Sequence, residues 1–124
     1  MIHASTISPW GIVEEELMEK ITETTKATVD YFGEHNAFIN VLRNMSVSCD
    51  CEGVAAAPVV TPNIGIVASK DILAVDQACC DFVYSASDSA DLRERIESRH
   101  GLRQLSAMAE LKMGNPQYEL INID

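Results

Sequence analysis

Two stretches of the chain place hydrophobic residues at the spacing of an amphipathic helix. Residues 12–32 follow Ser8-Pro9, a typical helix start, and glutamates separate their apolar positions, which predicts a helix there. The apolar positions are Val13, Leu17, Ile21, Val29 and Phe32. A second stripe, with i, i+3, i+4, i+7 and i+8 spacing, predicts another helix after Lys70-Asp71. Its members are Val75, Ala78, Cys79, Phe82 and Val83.

Residues 88–113 form a third helical region, which is interrupted around His100-Gly101. Leu92 and Ile96 form one apolar stripe, and Leu105, Met108 and Ala109 form another. The pattern fits two helices or one kinked helix, and Gly114-Asn115-Pro116 predicts where it stops.

Three short and mostly apolar runs, residues 37–42, 64–69 and 118–123, have the length of strands. Residues 46–63, between the first two, contain a glycine, two prolines and two cysteines without a regular period. Loops longer than about 12–15 residues usually carry function. The order of elements predicts an α/β fold, a small two-layer or three-layer structure with about three mostly parallel strands and flanking helices.

Length indicates the number of domains, and charge limits the classes of partner. With 124 residues and 13.6 kDa, we expect residues 1–124 to form a single domain. The 9 basic and 19 acidic residues give a net charge of −10, which disfavours binding to nucleic acid and to anionic membranes. No run approaches the roughly 20 apolar residues of a membrane span. Without a secretory signal pattern at the N-terminus, we expect a cytoplasmic protein.

The triplet Cys49-Asp50-Cys51 is the feature most indicative of chemistry. Two thiolates one residue apart can bind one soft metal, which predicts zinc or an iron-sulfur cluster. Asp76 is the further metal ligand that we select, and Asp50, Glu52 and Cys80 are other nearby donors. The same pair could be two ordinary loop cysteines, or a redox pair in which Cys49 attacks and Cys51 resolves. The flanking carboxylates disfavour the redox pair because they raise thiol pKa values.

The second predicted helix carries other candidate groups. Cys79 lies on the apolar stripe, which favours a place in the core, whereas Cys80 stands one turn from Asp76. Lys70 and Asp71 follow a predicted strand, where α/β sheets commonly bind ligands, so they are candidate cofactor-binding residues. The alternative is that Ser69 or Asp71 simply caps the helix.

Several motifs resemble the iron-sulfur-centre family called domain of unknown function 362. The resemblance rests on C-D-C-x-G at 49–53, on A-P-V-V-T-P-N-I-G-I-V-A-S-K-D within 57–81, on F-I-N-V-L at 38–42 and on G-N-P-Q-Y-E-L-I near the end. It covers residues 35–123, and more loosely the first helix. It implies that the chain corresponds to the C-terminal part of a larger α/β domain. Ile72 stands where the family has proline, and Ala56 and Asn63 stand where it often has acids.

The resemblance adds a redox or electron-transfer role to the metal hypothesis. Many members of the family carry separate ferredoxin-type cysteine runs, and no C-x-x-C-x-x-C run occurs in this sequence. Our leading hypothesis is a metal-associated or iron-sulfur-associated protein that acts through the C-D-C loop, with a redox partner protein or a second copy as its partner. A structural interaction module without catalysis and a thiol redox catalyst are the alternatives, and the sequence does not decide whether the chain is an enzyme.

Overall fold

A computed structural model describes residues 14–48 and 50–123 of the chain. Its helices are α1 (Glu14–Phe32), α2 (Ile72–Ser85), α3 (Ala90–Ser98) and α4 (Arg103–Glu110). Its strands are β1 (Phe38–Leu42) and β2 (Gly65–Ser69). Two short 3-10 segments, Gly33–His35 and Asp50–Ala55, follow α1 and β1 respectively.

The sheet has two antiparallel strands, so the prediction of about three mostly parallel strands is wrong. Phe38 pairs with Ser69 and Leu42 with Gly65. A parallel pair needs a crossover that returns the chain to the starting edge, usually through an α-helix. Between these strands lies only a loop with a short 3-10 segment, and the Ile64 N–H donates to the Leu42 carbonyl at 2.9 Å as the chain turns back.

Residues 118–123, predicted as a third strand, are not in a strand in the described structure. Hydrogen bonds attach the start of the segment 115–123, which we call the C-terminal tail, to α2 and its capping residue. The Asn115 N–H donates to Asp71 Oδ2 at 2.8 Å, and the Tyr118 hydroxyl donates to Asp81 Oδ2 at 2.8 Å. These bonds attach the first part of the tail to α2 and to the residue that caps it.

Helix α2 contributes half of the buried apolar residues, because it packs against both strands and against α4. Three members of its predicted stripe are buried, whereas Cys79 is only half-buried. The buried apolar residues are Met18, Leu42, Leu73, Val75, Ala78, Val83, Ala107 and Met108. The core thus lies between α2, one face of the sheet, and the pair formed by α1 and α4.

The helical predictions agree well with the structure. The described part of the first helix begins at Glu14, and its fully buried positions are Met18 and Thr22, each one residue after a predicted apolar position. Residues 88–113 form two helices, α3 and α4. His100 has a positive φ of 52° at their junction.

Arginines at the end of α3 and the start of α4 form ion pairs with α1. Arg99 Nη1 lies 2.8 Å from Glu14 Oε1, and Arg103 Nη2 lies 2.7 Å from Glu19 Oε1. Some of the glutamates that separate the apolar positions of the first helix therefore link helices.

Candidate functional site

The loop of residues 43–64, which we call the C-D-C loop, is closed at its base. The Ile64 N–H donates to the Leu42 carbonyl at 2.9 Å, and the Asn44 N–H donates to Asn63 Oδ1, also at 2.9 Å. These two bonds extend the contact between the strands into the loop. We call the four residues Leu42, Asn44, Asn63 and Ile64 the loop neck.

A second layer of hydrogen bonds joins the arms of the loop beyond the neck. The Ala57 N–H donates to Ser48 Oγ at 2.7 Å, and the Ser46 hydroxyl donates to the Ala57 carbonyl at 3.4 Å. The buried Thr61 hydroxyl donates to the Asp88 carbonyl at 3.0 Å, which attaches the returning arm to the segment after α2. These contacts fix both sides of the segment that contains the cysteine triplet.

The sulfur atoms of the triplet lie outside the described structure. Cys49 is not among the described residues, and the side chains of Asp50 and Cys51 are likewise not described. The backbone after Cys49 forms the 3-10 segment Asp50–Ala55, which contains Gly53 at φ 55°. Glycine fits this position because a side chain would make a left-handed backbone costly.

Asp76 contacts the sheet through a strand residue that the sequence analysis did not select. Asn40 Nδ2, on β1, donates to Asp76 Oδ1 at 2.8 Å and also lies 3.3 Å from Cys79 Sγ. Burial raises the pKa of the Asp76 carboxyl, although the hydrogen bond from Asn40 opposes that rise. The signal for Asn40 in the sequence was one amide in an otherwise apolar strand.

The surroundings of the two cysteines of α2 disfavour ionisation of their thiols. Burial raises the pKa of Cys79, and it raises the pKa of Cys80 to about 11, with the nearby Asp76 carboxylate adding to the effect. Because nucleophilic attack needs the thiolate, these surroundings disfavour that role. Successive helical residues also point about 100° apart, so this pair does not form one chelate.

Lys70 and Asp71 both make contacts within the chain. The Lys70 ammonium donates to the Glu34 carbonyl at 3.1 Å. Asp71 Oδ1 accepts from the Ala74 N–H at 2.9 Å, which caps α2, while Oδ2 accepts from the Asn115 N–H. Asp71 therefore performs the capping role, and both of its carboxylate oxygens are engaged.

The structure does not gather the predicted site residues into one described cluster. Among the side chains that the structure describes, which leave out those of residues 49–51, no group of three or more His, Cys, Asp or Glu residues could hold a metal ion. An open groove along α3 includes none of the predicted site residues. It is lined by Ala90, Arg93, Glu94, Glu97 and Ser98.

A protein-family model matches residues 1–81, which is well over half of the chain. Its description is Domain of unknown function (DUF362). The chain belongs to this family. The match includes α1, the sheet and the C-D-C loop of the DUF362 protein and stops within α2, so the C-terminal part of the sequence resemblance falls outside it.

The family description assigns no function to the DUF362 protein, and an iron-sulfur centre is not part of it. No curated protein and no solved structure matches the chain. None of the helices in the described part is sufficiently long and apolar to span a bilayer.

Proposed function

We propose that the protein binds a soft metal through Cys49 and Cys51, as zinc or as part of an iron-sulfur centre, and that the iron form takes part in electron transfer. The observation that carries this proposal is the closure of the C-D-C loop. The loop neck and the bonds between Ser48 and Ala57 join its two arms before and after the triplet. A long loop closed in this way can present a pair of ligands without the cost of ordering the whole segment on binding.

The setting of the loop also suits a site that meets another molecule. Residues 52–60, directly after the triplet, are all exposed. Electron transfer and metal transfer need close approach by a partner, which an exposed loop allows. The net charge of −10 favours a partner with a basic surface.

The set of donors determines which metal centre one chain can complete. Clusters of the two-iron and four-iron types take four ligands, normally cysteines. The C-D-C loop supplies two sulfur donors, Cys49 and Cys51, to the proposed site. Zinc accepts a mixed set of sulfur and oxygen ligands, whereas a cluster would need two further cysteines.

Asp76 is the oxygen ligand that the proposal includes. Its carboxyl lies on the flank of α2 beside Asn40, and burial raises its pKa. A bound cation would oppose that rise, because it favours the ionised carboxylate. The Asn40 amide would hold one carboxylate oxygen and leave the other to face the ligand.

The test is metal analysis and an absorption spectrum of protein purified without oxygen. We expect near-stoichiometric zinc or iron in the wild type, with visible absorption only for a cluster. Cys49→Ser and Cys51→Ser should each abolish binding, whereas Cys80→Ser is the matched control and should retain it. Asp76→Asn should weaken binding by about 10-fold if the carboxylate is a ligand.

Two results would contradict the proposal. One is wild-type protein without metal after anaerobic purification and after incubation with zinc or ferrous iron. The other is binding that survives the loss of both loop cysteines. Retention of full affinity in Asp76→Asn would remove Asp76 from the ligand set and leave the cysteine pair in place.

A further inference from the structure

One face of the two-stranded sheet is apolar and exposed. Side chains of a strand alternate between the two faces, and α2 packs on the face that carries Asn40. On the opposite face, Ile39, Val41 and Ile66 are 65%, 60% and 70% exposed. We call these three residues, together with the exposed Ala68, the outer sheet face.

The residues of the outer sheet face form one continuous patch. Val41 pairs with Ile66 across the sheet, and Ile39 pairs with Ala68. Directly opposed residues of an antiparallel pair have Cβ atoms about 4.5–5.5 Å apart, so the two pairs adjoin on the same face. Three large β-branched side chains in one patch are typical of a sheet face that packs against another surface. We therefore expect a further surface to cover this patch.

The charges at the two ends of the sheet favour a second copy of the chain as that surface. Arg43 directly follows β1 at one end. Glu34 lies at the other end, because its carbonyl accepts from the ammonium of Lys70, the residue that directly follows β2. Arg43 and Glu34 are exposed, and neither side chain has a hydrogen bond or ion pair with another described residue. One chain thus supplies both halves of a charge-complementary contact.

Stacking two outer sheet faces about a two-fold axis can bring these opposite ends together. Packed sheets lie about 10 Å apart, with strand directions within about 30° of each other. A two-fold axis that lies between the sheets and runs across the strands reverses the strand direction of the second copy. Arg43 lies three residues, or about 10 Å, after Asn40 at the centre of β1, and Ala37 lies equally far before it. The rotation therefore sets Arg43 over Ala37 of the second copy, three residues from Glu34.

We propose that two copies of the chain associate through their outer sheet faces, with Arg43 of each copy next to Glu34 of the other. In this arrangement β1 of one copy runs antiparallel to β1 of the other. The two ion pairs are equivalent, as the symmetry of a homodimer requires. The association involves neither the cysteines of the C-D-C loop nor a metal, so it stands independently of the proposed function.

The size of the contact predicts a weak dimer. Burying one Val or Ile side chain removes on the order of 100 Å² from water. The three large residues of each face therefore bury about 600 Å² in the two copies, and Ala68 and the charged ends raise the total to roughly 1,000 Å², near the lower limit of specific interfaces. Because each copy also carries a net charge of −10, we expect a dissociation constant on the order of 10–100 µM at about 0.15 M salt.

Sedimentation equilibrium of the full chain at about 5–300 µM, with a chelator present, measures this constant. We expect a monomer–dimer equilibrium for the wild type. The double variant Ile39→Thr, Ile66→Thr should weaken dimerisation about 10-fold or more, because threonine keeps the β-branched shape that strands favour but offers less apolar surface. Leu102→Thr is the control, since Leu102 is 43% exposed and lies between α3 and α4, neither of which packs on the sheet.

Charge reversal tests the orientation of the two copies. Arg43→Glu and Glu34→Arg each make both ion pairs repulsive, so each should weaken dimerisation about 5- to 30-fold. Glu34→Arg removes one negative charge and adds one positive charge, which takes the net charge from −10 to −8. It would therefore strengthen association if only the overall repulsion mattered. Glu94→Arg, at an exposed position of α3, changes the net charge equally and is the matched control, which should not weaken dimerisation.

Combining the two charge reversals should restore association in two ways. A chain that carries both Arg43→Glu and Glu34→Arg should dimerise as the wild type does. A mixture of the two single variants should form heterodimers at concentrations where each alone is monomeric, because both ion pairs are attractive again. These variants keep the apolar residues of the sheet, and their far-ultraviolet circular dichroism should match that of the wild type.

Several results would overturn the proposal. One is a wild type that remains monomeric at about 300 µM. Wild-type affinity in the double threonine variant would exclude the outer sheet face as the interface. Wild-type affinity in Glu34→Arg, or a mixture of the two charge variants that stays monomeric, would exclude the opposed orientation. All of these measurements are made with a chelator present, so none of them depends on the metal content that tests the proposed function.

Discussion

Replacing Gly114 with alanine should destabilise the protein through a collision with Asp71. A Cβ atom at Gly114 would overlap Asp71 Oδ1 and would lie 2.6 Å from Asp71 Cγ, closer than real Cβ contacts. That carboxylate caps α2 through the Ala74 N–H and holds the start of the C-terminal tail through the Asn115 N–H. Because the carboxylate must rotate away from the new methyl group, we expect both hydrogen bonds to be lost.

The magnitude follows from those two bonds. Loss of an N-cap costs about 0.5–2 kcal/mol, and loss of one further hydrogen bond costs about 0.5–1.5 kcal/mol. Gly114→Ala should therefore lower the free energy of unfolding by about 1–3 kcal/mol. Asp71→Ala should have a similar effect because it deletes the same acceptor. Asp71→Asn should cost about 1 kcal/mol, since asparagine still caps the helix but one acceptor oxygen is replaced by a donor.

Urea unfolding, followed by circular dichroism at 222 nm, measures these values in a double-mutant cycle. In the Asp71→Ala background the carboxylate is absent, so Gly114→Ala should cost less than about 0.5 kcal/mol. The pair of substitutions would then show a coupling close to the full effect of Gly114→Ala alone. Equal costs of Gly114→Ala in both backgrounds would refute the collision and the role that we assign to Asp71.

Three further predictions concern α2. Leu73→Ala, at a fully buried position, should cost about 2–5 kcal/mol in urea unfolding, whereas the exposed Leu120→Ala should cost under about 0.5 kcal/mol. Burial raises the pKa of the Asp76 carboxyl, so the protonated carboxyl favours the folded state. This contribution to stability is complete below the unfolded-state pKa of about 3.9, and it is lost as pH rises through the folded-state pKa. Asp76→Asn should therefore raise thermal stability at pH 7 but not at pH 3, and equal gains at both would contradict this. With a pKa of about 11, Cys80 should react with iodoacetamide at pH 8 about 10- to 100-fold more slowly than a free-thiol peptide, as peptide mass spectrometry can measure.

The helices were predictable because their signal is local. The stripe that predicted α2 contains Val75, Ala78 and Val83, and all three are buried. In α1 the fully buried positions, Met18 and Thr22, stand one residue after the predicted Leu17 and Ile21. Helical periodicity specified the buried face of α1 only to within one residue, which corresponds to a rotation of about 100° around the helix axis. Which residue on that face is most buried depends on α4, the helix that packs against it.

Strand pairing was not predictable from the same kind of pattern. The runs at 37–42 and 64–69 are strands, as expected, but an apolar run does not reveal whether both of its faces are covered. Among the described residues, α2 packs on one face of the sheet, and Ile39 and Ile66 on the other face are exposed. Residues 118–123 have equal strand character, yet they are not in a strand in the described structure, and Tyr118 donates to Asp81 on α2.

The candidate site shows the same division. The amino-acid sequence alone identified the C-D-C triplet, the helical stripe and the alternative that Asp71 caps a helix, because each depends on residues close together in the chain. Only the tertiary structure paired Asn40 with Asp76, 36 positions apart, and Asp71 with Asn115, 44 positions apart. Local spacing follows from covalent order, whereas contacts between distant residues follow from packing of the whole chain, which no single segment encodes.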